Sequence, residues 1–310
     1  MGTLEDRWRT ALFGADGFYT TQCPAAHFRT SCLVDTTVAQ AVATLARRVG
    51  ADAVVDVGAG SGELLAALHR VAPALRLTAV ELRPRPAGLP RAIDWLRQLP
   101  RRLTGVVVAH ELLDTVPCPV VQADADGQPL VVHADPDTGA EWLGPVLSGR
   151  ERAWLQQWWD VSPPGSRAEV GLPRDRVWSD VLRRLDRGLG VAVDYGHLRR
   201  TRPSAGSLRA YRDGRQVEPR FDGSTDVTAD VALDALASAC GGTLHRQRDL
   251  LAQLTDDRAS RPSSPLGVAS APAARLRALV AASRQAEVGA TGGLGELTWL
   301  LTPVAVASPC

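Results

Sequence analysis

A glycine-rich loop offers the clearest potential for chemistry in this 310-residue chain. It has the sequence DVGAGSGE over residues 56–63, after a short apolar run and before a helical pattern. Because glycine has no Cβ, backbone amides in such a loop can approach a ligand closely. A loop between a strand and a helix places its ligand at the carboxyl edge of a parallel sheet. We therefore expect the loop to bind a small molecule.

The acidic residues around the loop indicate which small molecule it binds. A dinucleotide fingerprint, G-x-G-x-x-G, would need glycine where Glu63 stands, and a carboxylate is unfavourable there beside a pyrophosphate. S-adenosylmethionine has no phosphate and carries a cationic sulfonium, so the loop favours it over a nicotinamide cofactor. Glu81 ends the next predicted strand, where a carboxylate can accept from both ribose hydroxyls. The structural alternative is a glycine turn with ordinary strand-end acids.

Two further residues are expected near the adenine ring of this cofactor. Asp94 and Trp95 follow the position where a third strand could end, although Trp95 could equally be a core side chain. The predicted cofactor-binding residues are Asp56, Gly58, Ala59, Gly60, Gly62, Glu81, Asp94, Trp95 and His110.

A second polar segment, HELLDTVP at residues 110–117, follows the strong apolar run 105–109. Glu111 and Asp114 are three residues apart and share one face if the segment is helical. Two carboxylates suit a cationic methyl acceptor, and a carboxylate binds a guanidinium through paired hydrogen bonds. A base must then take a proton. The alternative is an acid pair that balances a helix dipole. The predicted catalytic residues are Glu111, Asp114, His110 and Asp194.

The elements that must position these residues follow from hydrophobic periodicity. Continuous apolar runs separated by helical patterns indicate a parallel sheet covered on both faces, hence an α/β fold of Rossmann-like type. The predicted helices are Thr3–Phe13, Thr36–Val49 and Ser61–Val71, and the predicted strands are Ala53–Val57, Leu75–Glu81, Gly105–Ala109, Gly190–Tyr195 and Leu297–Val304.

Other stretches interrupt this alternation. Apolar runs on either side of Asp126-Gly127 predict a hairpin over Val120–Val132. From these patterns we predict an N-terminal helical and loop cap at 1–50, a cofactor-binding core at 51–117 and 174–310, and an inserted hairpin-plus-helix subdomain at 118–173. The remaining predictions are a partly helical Trp142–Trp159, a loop at Arg199–Ser224, a helix at Asp226–Cys240, a linker at Ser260–Pro272 and a helix at Ala273–Glu287.

The composition limits the classes of function. A formal net charge of +1 argues against a broad nucleic-acid surface. The five cysteines are scattered without a C-x-x-C pair, which predicts reduced thiols and no metal site. The N-terminal segment lacks a secretory pattern, and no apolar stretch is long enough to span a membrane. We therefore expect a cytoplasmic protein that does not bind nucleic acid or membrane.

Motifs spread along most of the chain resemble those of the MidA-type class I methyltransferases, which include a mitochondrial arginine methyltransferase that assists complex I assembly. The motifs are GFY (17–19), HFRTS (27–31), DVGAGSGEL (56–64), VEL (80–82), AHELLDTVP (109–117), VDYG (193–196), GSLRAY (206–211), DVTADV (226–231) and GGLGELTWLL (292–301). The resemblance implies a seven-stranded sheet, adenosylmethionine as cofactor, and an N-terminal loop with His27 and Arg29 that folds over the active site.

The chain departs from the family pattern at three places. His110 stands where the family often has Asn, Asp230 replaces a His, and the segment 82–94 is shortened and rich in proline. The favoured prediction is methylation of a protein arginine. A small-molecule methyltransferase of biosynthesis and an adenosylmethionine-binding assembly protein without turnover remain alternatives. The expected partner is a protein or small-molecule acceptor, and a homodimer is allowed.

Overall fold

The computed structural model describes residues 2–22, 36–135, 138–259, 290 and 293–305, with the side chains of 255–259 excepted. The chain forms two compact units, each assembled from three separate segments. The sheet unit consists of Arg29–His110, Arg184–Val193 and Thr243–Cys310. The hairpin unit consists of Met1–Phe28, Glu111–Arg183 and Asp194–Gly242.

Strands and helices alternate along the described residues. The strands are β1 (Gly2–Thr3), β2 (Ala53–Val57), β3 (Arg76–Val80), β4 (Ile93–Leu96), β5 (Leu103–His110), β6 (Val120–Ala123), β7 (Pro129–Ala134), β8 (Glu141–Val146), β9 (Arg167–Glu169), β10 (Leu185–Asp194), β11 (Gly196–His197), β12 (Arg209–Arg212), β13 (Arg215–Val217), β14 (Asp226–Thr228), β15 (Val231–Ala232), β16 (Thr243–Arg246) and β17 (Thr298–Val304). The α-helices are α1 (Leu4–Phe13), α2 (Phe18–Thr21), α3 (Thr37–Arg48), α4 (Glu63–Val71), α5 (Gly149–Trp158), α6 (Leu172–Leu182), α7 (Leu233–Cys240) and α8 (Gln247–Ala259), and short 3-10 helices cover Arg199–Thr201 and Leu294–Glu296.

A seven-stranded sheet forms the centre of the sheet unit, in the order β16-β17-β10-β5-β2-β3-β4. The five strands from β10 to β4 are parallel, whereas β16 and β17 are antiparallel to each other. The chain leaves β2 toward β3 and β4 and then returns to β5 on the other side of β2. The order therefore reverses beside β2, and ligands of open α/β sheets bind at such a switch point. The predicted α/β sheet is confirmed.

Burial explains why these segments became strands and helices. Val106, Val107 and Val108 of β5 are fully buried, as expected for a parallel strand with both faces covered. In α4, Leu65 and Leu68 lie three residues apart on one face and are also fully buried. Helices α3 and α4 contact each other within this unit. The apolar packing fixes the carboxyl end of β2 and thereby the position of the glycine loop.

The hairpin unit contains an antiparallel sheet, ordered β1-β7-β6-β9, with β8 paired to β7. The predicted hairpin is β6 and β7, and Gly127 adopts the left-handed backbone conformation in its turn. A cluster of buried side chains around Trp154 and Trp159 packs beside this sheet. A second cluster contains Trp8 and Phe18 of the N-terminal helices. The unit includes the predicted subdomain 118–173 together with residues on either side.

Two predictions of local structure need correction. The segment 199–224 contains a 3-10 helix and the β12–β13 hairpin, so it is not simply a loop. Strands β14 and β15 lie within 226–232, and the helix predicted from Asp226 begins only at Leu233. In both cases pairing with a neighbouring strand overrides the local pattern. The prediction that 142–159 is partly helical is confirmed, since strand β8 is followed by helix α5.

Two predicted elements, the linker at 260–272 and the helix at 273–287, lie outside the described residues. Among the helices that the structure describes, none is both long and apolar enough to cross a membrane.

Candidate cofactor and acceptor sites

Three glycines shape the turn between β2 and α4. Gly58, Gly60 and Gly62 have φ values of 74°, 61° and 83°, a region that other residues enter only with strain. The amide of Gly58 donates to the carbonyl of Val80 over 2.9 Å, which ties the turn to the end of β3. The predicted glycine loop therefore lies at the switch point of the sheet. This is where open α/β sheets bind their ligands.

Glu81 joins the end of β3 to this turn. Its Oε2 accepts from the Gly60 amide over 3.0 Å, and its Oε1 accepts from the Arg83 amide over 3.0 Å. The Arg83 guanidinium lies 3.5 Å from Oε1, and the Glu81 side chain is only 12% exposed. A carboxylate has about four lone-pair positions, so Glu81 retains acceptors for two hydroxyls. The structure therefore brings Glu81 and Gly60 together, as the sequence predicted.

Three carboxylates surround the glycine turn. Asp56 is buried at the end of β2, and burial raises its pKa to about 7, with additional repulsion from Glu63 and Glu81. Glu63, in the first turn of α4, accepts from the Ser61 amide over 3.1 Å. This negative surface suits a cationic nucleoside and disfavours a pyrophosphate. The residues present therefore fit adenosylmethionine.

Trp95 and Asp94 lie within β4, rather than after its end. The Trp95 indole donates to the Arg83 carbonyl over 3.0 Å, and its ring lies near Gly62. Asp94 is exposed, and its backbone is in register with Thr78 of β3. The ring of Trp95 thus lies beside the glycine turn, and the contact of both residues with the adenine stays a prediction.

His110 ends β5, and Glu111 follows it in the chain. Burial lowers the pKa of His110 to about 4, so its imidazole is neutral at physiological pH. Glu111 has a φ of 52°, the left-handed conformation that costs a residue with a side chain roughly 1–3 kcal/mol. Strained backbone of this kind concentrates at functional positions. Residues 111–114 are not helical, so the expectation that Glu111 and Asp114 share a helix face is wrong.

Asp194 and Asp114 form the buried acidic centre of the hairpin unit. Oδ2 of Asp194 accepts from the amides of Leu113 and Asp114 over 2.8 and 3.3 Å, and Oδ1 accepts from the Tyr195 amide over 3.1 Å. Burial raises the pKa of Asp194 well above its usual range, and Asp114 and Glu111 raise it further. Burial also raises the pKa of Asp114 to about 6, although Arg174 and Arg209 oppose that rise.

Arg174 is a residue whose role the sequence did not reveal. It is 1% exposed and donates to three backbone carbonyls: Asp114 at 3.1 Å, Val116 at 3.1 Å and Asp230 at 2.9 Å. It thereby fastens residues 114–116 to the 229–231 segment. Arg174 belongs to no motif, and an arginine near the start of a helix gives no signal of burial. Only the tertiary structure identifies it.

Other motif residues also meet in the hairpin unit. Arg209 forms an ion pair with Asp230, the residue that replaces the family His. The Tyr19 hydroxyl donates to Asp226 over 2.9 Å. His27 and Arg29 lie outside the described residues. Within the described part of the chain, there is no cluster of His, Cys, Asp and Glu side chains that could hold a metal ion.

The strand order and the glycine turn at its switch point define a class I methyltransferase fold. A Burkholderia thailandensis protein, crystallised bound to S-adenosyl-homocysteine, has the same fold with a TM-score of 0.81 and 23% identity, covering 99% of this chain and 89% of that one. A second Burkholderia thailandensis structure of the same superfamily gives 0.76 and 24%, covering 99% and 88%. No protein of curated function matches the chain.

Residues 37–249 match the family described as putative S-adenosyl-L-methionine-dependent methyltransferases, and the chain belongs to this family. The predicted family, enzyme class and cofactor are therefore confirmed. The assignments of individual site residues, and of the acceptor, stay predictions.

Proposed function

We propose that this methyltransferase transfers a methyl group from adenosylmethionine to the guanidinium of a protein arginine. The observation that carries the proposal is the group of Glu111, Asp114 and Asp194, in which the first two raise the pKa of Asp194 by repulsion and the two aspartates are buried. Buried carboxylates that repel each other are stabilised by a cation. A guanidinium is planar and binds carboxylates through two parallel hydrogen bonds, which suits such a group.

In the sheet unit, Glu81 and the amides of the glycine turn would hold adenosylmethionine, with Glu81 as the acceptor for its ribose hydroxyls. Asp56 and Glu63 provide the negative field that favours the cationic sulfonium over its neutral product. Trp95 would contribute the apolar surface for the base, whereas Asp94 is exposed on β4. When bound, adenosylmethionine supplies an electrophilic methyl group.

In the hairpin unit, Glu111 binds the guanidinium and Asp114 takes the proton. An efficient base has a pKa near the working pH, and that of Asp114, about 6, is closer to neutrality than that of His110, about 4. Asp194 accepts three backbone amides, which suits it to holding the 113–114 segment in place. We assign Asp194 that positioning role. Neutral His110 is kept as an auxiliary acceptor of the proton.

The decisive experiment is transfer of radiolabelled methyl groups from adenosylmethionine into a lysate that is then separated into protein and small-molecule fractions. The proposal expects label in protein, recovered as methylarginine after acid hydrolysis. The cofactor assignment is checked separately with Glu81→Ala, which is expected to bind S-adenosylhomocysteine far more weakly. Unchanged affinity of this variant would remove the ribose role of Glu81.

A small-molecule acceptor is the second candidate, and one observation favours it. Arg174 and Arg209 both lower the pKa of Asp114, so two permanent cations already act on the acidic centre. A further cation is bound less favourably there than in a purely acidic site. Label found only in the small-molecule fraction would establish this alternative, and cofactor binding without any transfer would support an assembly role.

The proposal includes a cytoplasmic location and a protein that binds neither nucleic acid nor membrane. The near-neutral net charge supports the exclusion of nucleic acid. A homodimer remains allowed, and light scattering at several concentrations tests it.

A further inference from the structure

The connection between the parallel strands β3 and β4 contains no helix. Parallel neighbours need a crossover of about a dozen residues or more, and a helix usually supplies it. Here residues 81–92 form irregular turns. Pro84, Pro86 and Pro90 lack an amide hydrogen, so the segment cannot satisfy its carbonyls through a regular backbone ladder. The amides of Leu89 and Ile93 donate to the carbonyls of Pro86 and Pro90, and a side chain supplies further donors.

Arg85 supplies these donors from within the segment. Its Nη2 donates to the carbonyls of Leu89 over 3.2 Å and Pro90 over 2.7 Å, and its Nη1 donates to the carbonyl of Ile93. The fixed fork of a guanidinium can reach three acceptors at once, which an ammonium on a flexible stem does less well. Arg85 thus closes the segment onto the start of β4.

The closed segment presents Leu89 to the glycine turn. Leu89 is 8% exposed, and a Cβ added at Gly62 would lie 2.7 Å from its Cδ1 and 3.5 Å from Cζ3 of Trp95. Leu89 and Trp95 therefore flank the turn on the same side. Trp95 is linked through the Arg83 carbonyl to the residue whose amide binds Glu81. Arg85, Leu89, Trp95 and Glu81 belong to one connected piece of structure.

We propose that Arg85 is a positioning residue for the adenine-binding part of the cofactor site. It holds the helix-free crossover so that Leu89 and Trp95 offer a fixed apolar surface to the base. A surface ordered before binding avoids the entropy cost of ordering it on binding. This inference rests on the proposed cofactor site at Glu81 and the glycine turn.

The test compares Arg85→Ala and Arg85→Lys with Arg91→Ala, which removes an exposed arginine of the same segment. Calorimetry measures the affinity of each variant for S-adenosylhomocysteine and for adenosine, which carries only the base and sugar. Arg85→Ala removes a donor from three carbonyls, of which only that of Pro90 is shown with a second donor, the Ile93 amide. The variant is therefore expected to weaken both ligands by about tenfold. Arg85→Lys is expected to recover part of this loss, and Arg91→Ala to match the wild type.

Steady-state kinetics add a measurement that general destabilisation would not reproduce. Arg85→Ala is expected to raise KM for adenosylmethionine while kcat and the acceptor KM stay unchanged. Wild-type affinity of the variant for adenosine, or a loss confined to kcat, would overturn the inference. If Arg85→Ala is insoluble, Arg85→Gln takes its place, and wild-type affinity of that variant for adenosine would overturn the inference equally. If Glu81→Ala binds S-adenosylhomocysteine weakly while both Arg85 variants bind it normally, only this inference is refuted. If Glu81→Ala binds it normally, the proposed cofactor site itself is refuted.

Discussion

Asp114 gives a prediction in which stability and activity change in opposite directions. It is 7% exposed, and burial raises its pKa to about 6 from the ordinary value of 3.8. A raised carboxyl pKa means that the folded state binds more protons than the unfolded state between these two values. The free energy of unfolding therefore falls as the pH rises from about 4 to about 6.

The size of the effect follows from the two pKa values. Their difference corresponds to roughly 3 kcal/mol of cost for ionising Asp114 in the fold, fully present above about pH 6. Asp114→Asn keeps the shape of the side chain and removes the charge. It is expected to increase the free energy of unfolding at about pH 8 by on the order of 1–3 kcal/mol, with little change near pH 4, and to suppress methyl transfer.

Urea unfolding at several pH values measures the stability, and methyl transfer measures the activity. Asp52→Asn serves as a control, because Asp52 is exposed and Arg76 lowers its pKa. Asp52→Asn should slightly lower the free energy of unfolding at high pH. This change is opposite in sign to that expected for Asp114→Asn. Equal destabilisation by Asp114→Asn at both ends of the pH range would refute the reasoning, and full activity would exclude Asp114 as the base.

Three further predictions concern the cofactor turn and Glu111. Glu111→Gln should retain affinity for S-adenosylhomocysteine and lose turnover, and full turnover would remove Glu111 from the mechanism. Gly62→Ala should lower the melting temperature and the cofactor affinity more than Gly60→Ala, because its Cβ meets Leu89 at 2.7 Å, against contacts of 3.5 Å and longer at Gly60. The pKa of Asp56, about 7, predicts that preference for adenosylmethionine over its product rises from about pH 6 to pH 8, where Asp56 ionises, and that Asp56→Asn abolishes this rise in competition binding.

Much of the sheet unit could be predicted from the sequence because its patterns are local. The apolar run 53–57 predicts a buried strand, and the glycines after it predict a turn. Neither prediction depends on residues far away in the chain. The β12–β13 hairpin carried a comparable signal, Asp213-Gly214 with φ values of 51° and 74°, but the charged residues around it resembled a loop. Strand β14 was read as helix because its pairing with β12 is not visible in the chain order.

The candidate site also contains contacts that could be predicted from the sequence and contacts that could not. Glu81 and Gly60 could be paired from their positions at the ends of adjacent strands. Arg174 and Arg85 could not be found, because both act through backbone carbonyls, and every residue has a carbonyl. The partners of Asp230 were equally hidden, since its ion pair with Arg209 joins β12 to the loop after β14. Sequence patterns identify side chains that share a segment, whereas these contacts depend on the tertiary fold.

The interleaving of the two units has a consequence for biosynthesis. Each unit takes three separate stretches of the chain, so neither can be produced as a continuous fragment. Strand β2 leaves the ribosome well before residues 298–304, which form β17 of the same sheet. Nascent chains must therefore keep apolar strand surfaces exposed while the intervening residues are made, and long-range pairing of this kind folds slowly. Chaperone dependence in cells is the expected result, and C-terminal truncations before β17 should yield aggregates.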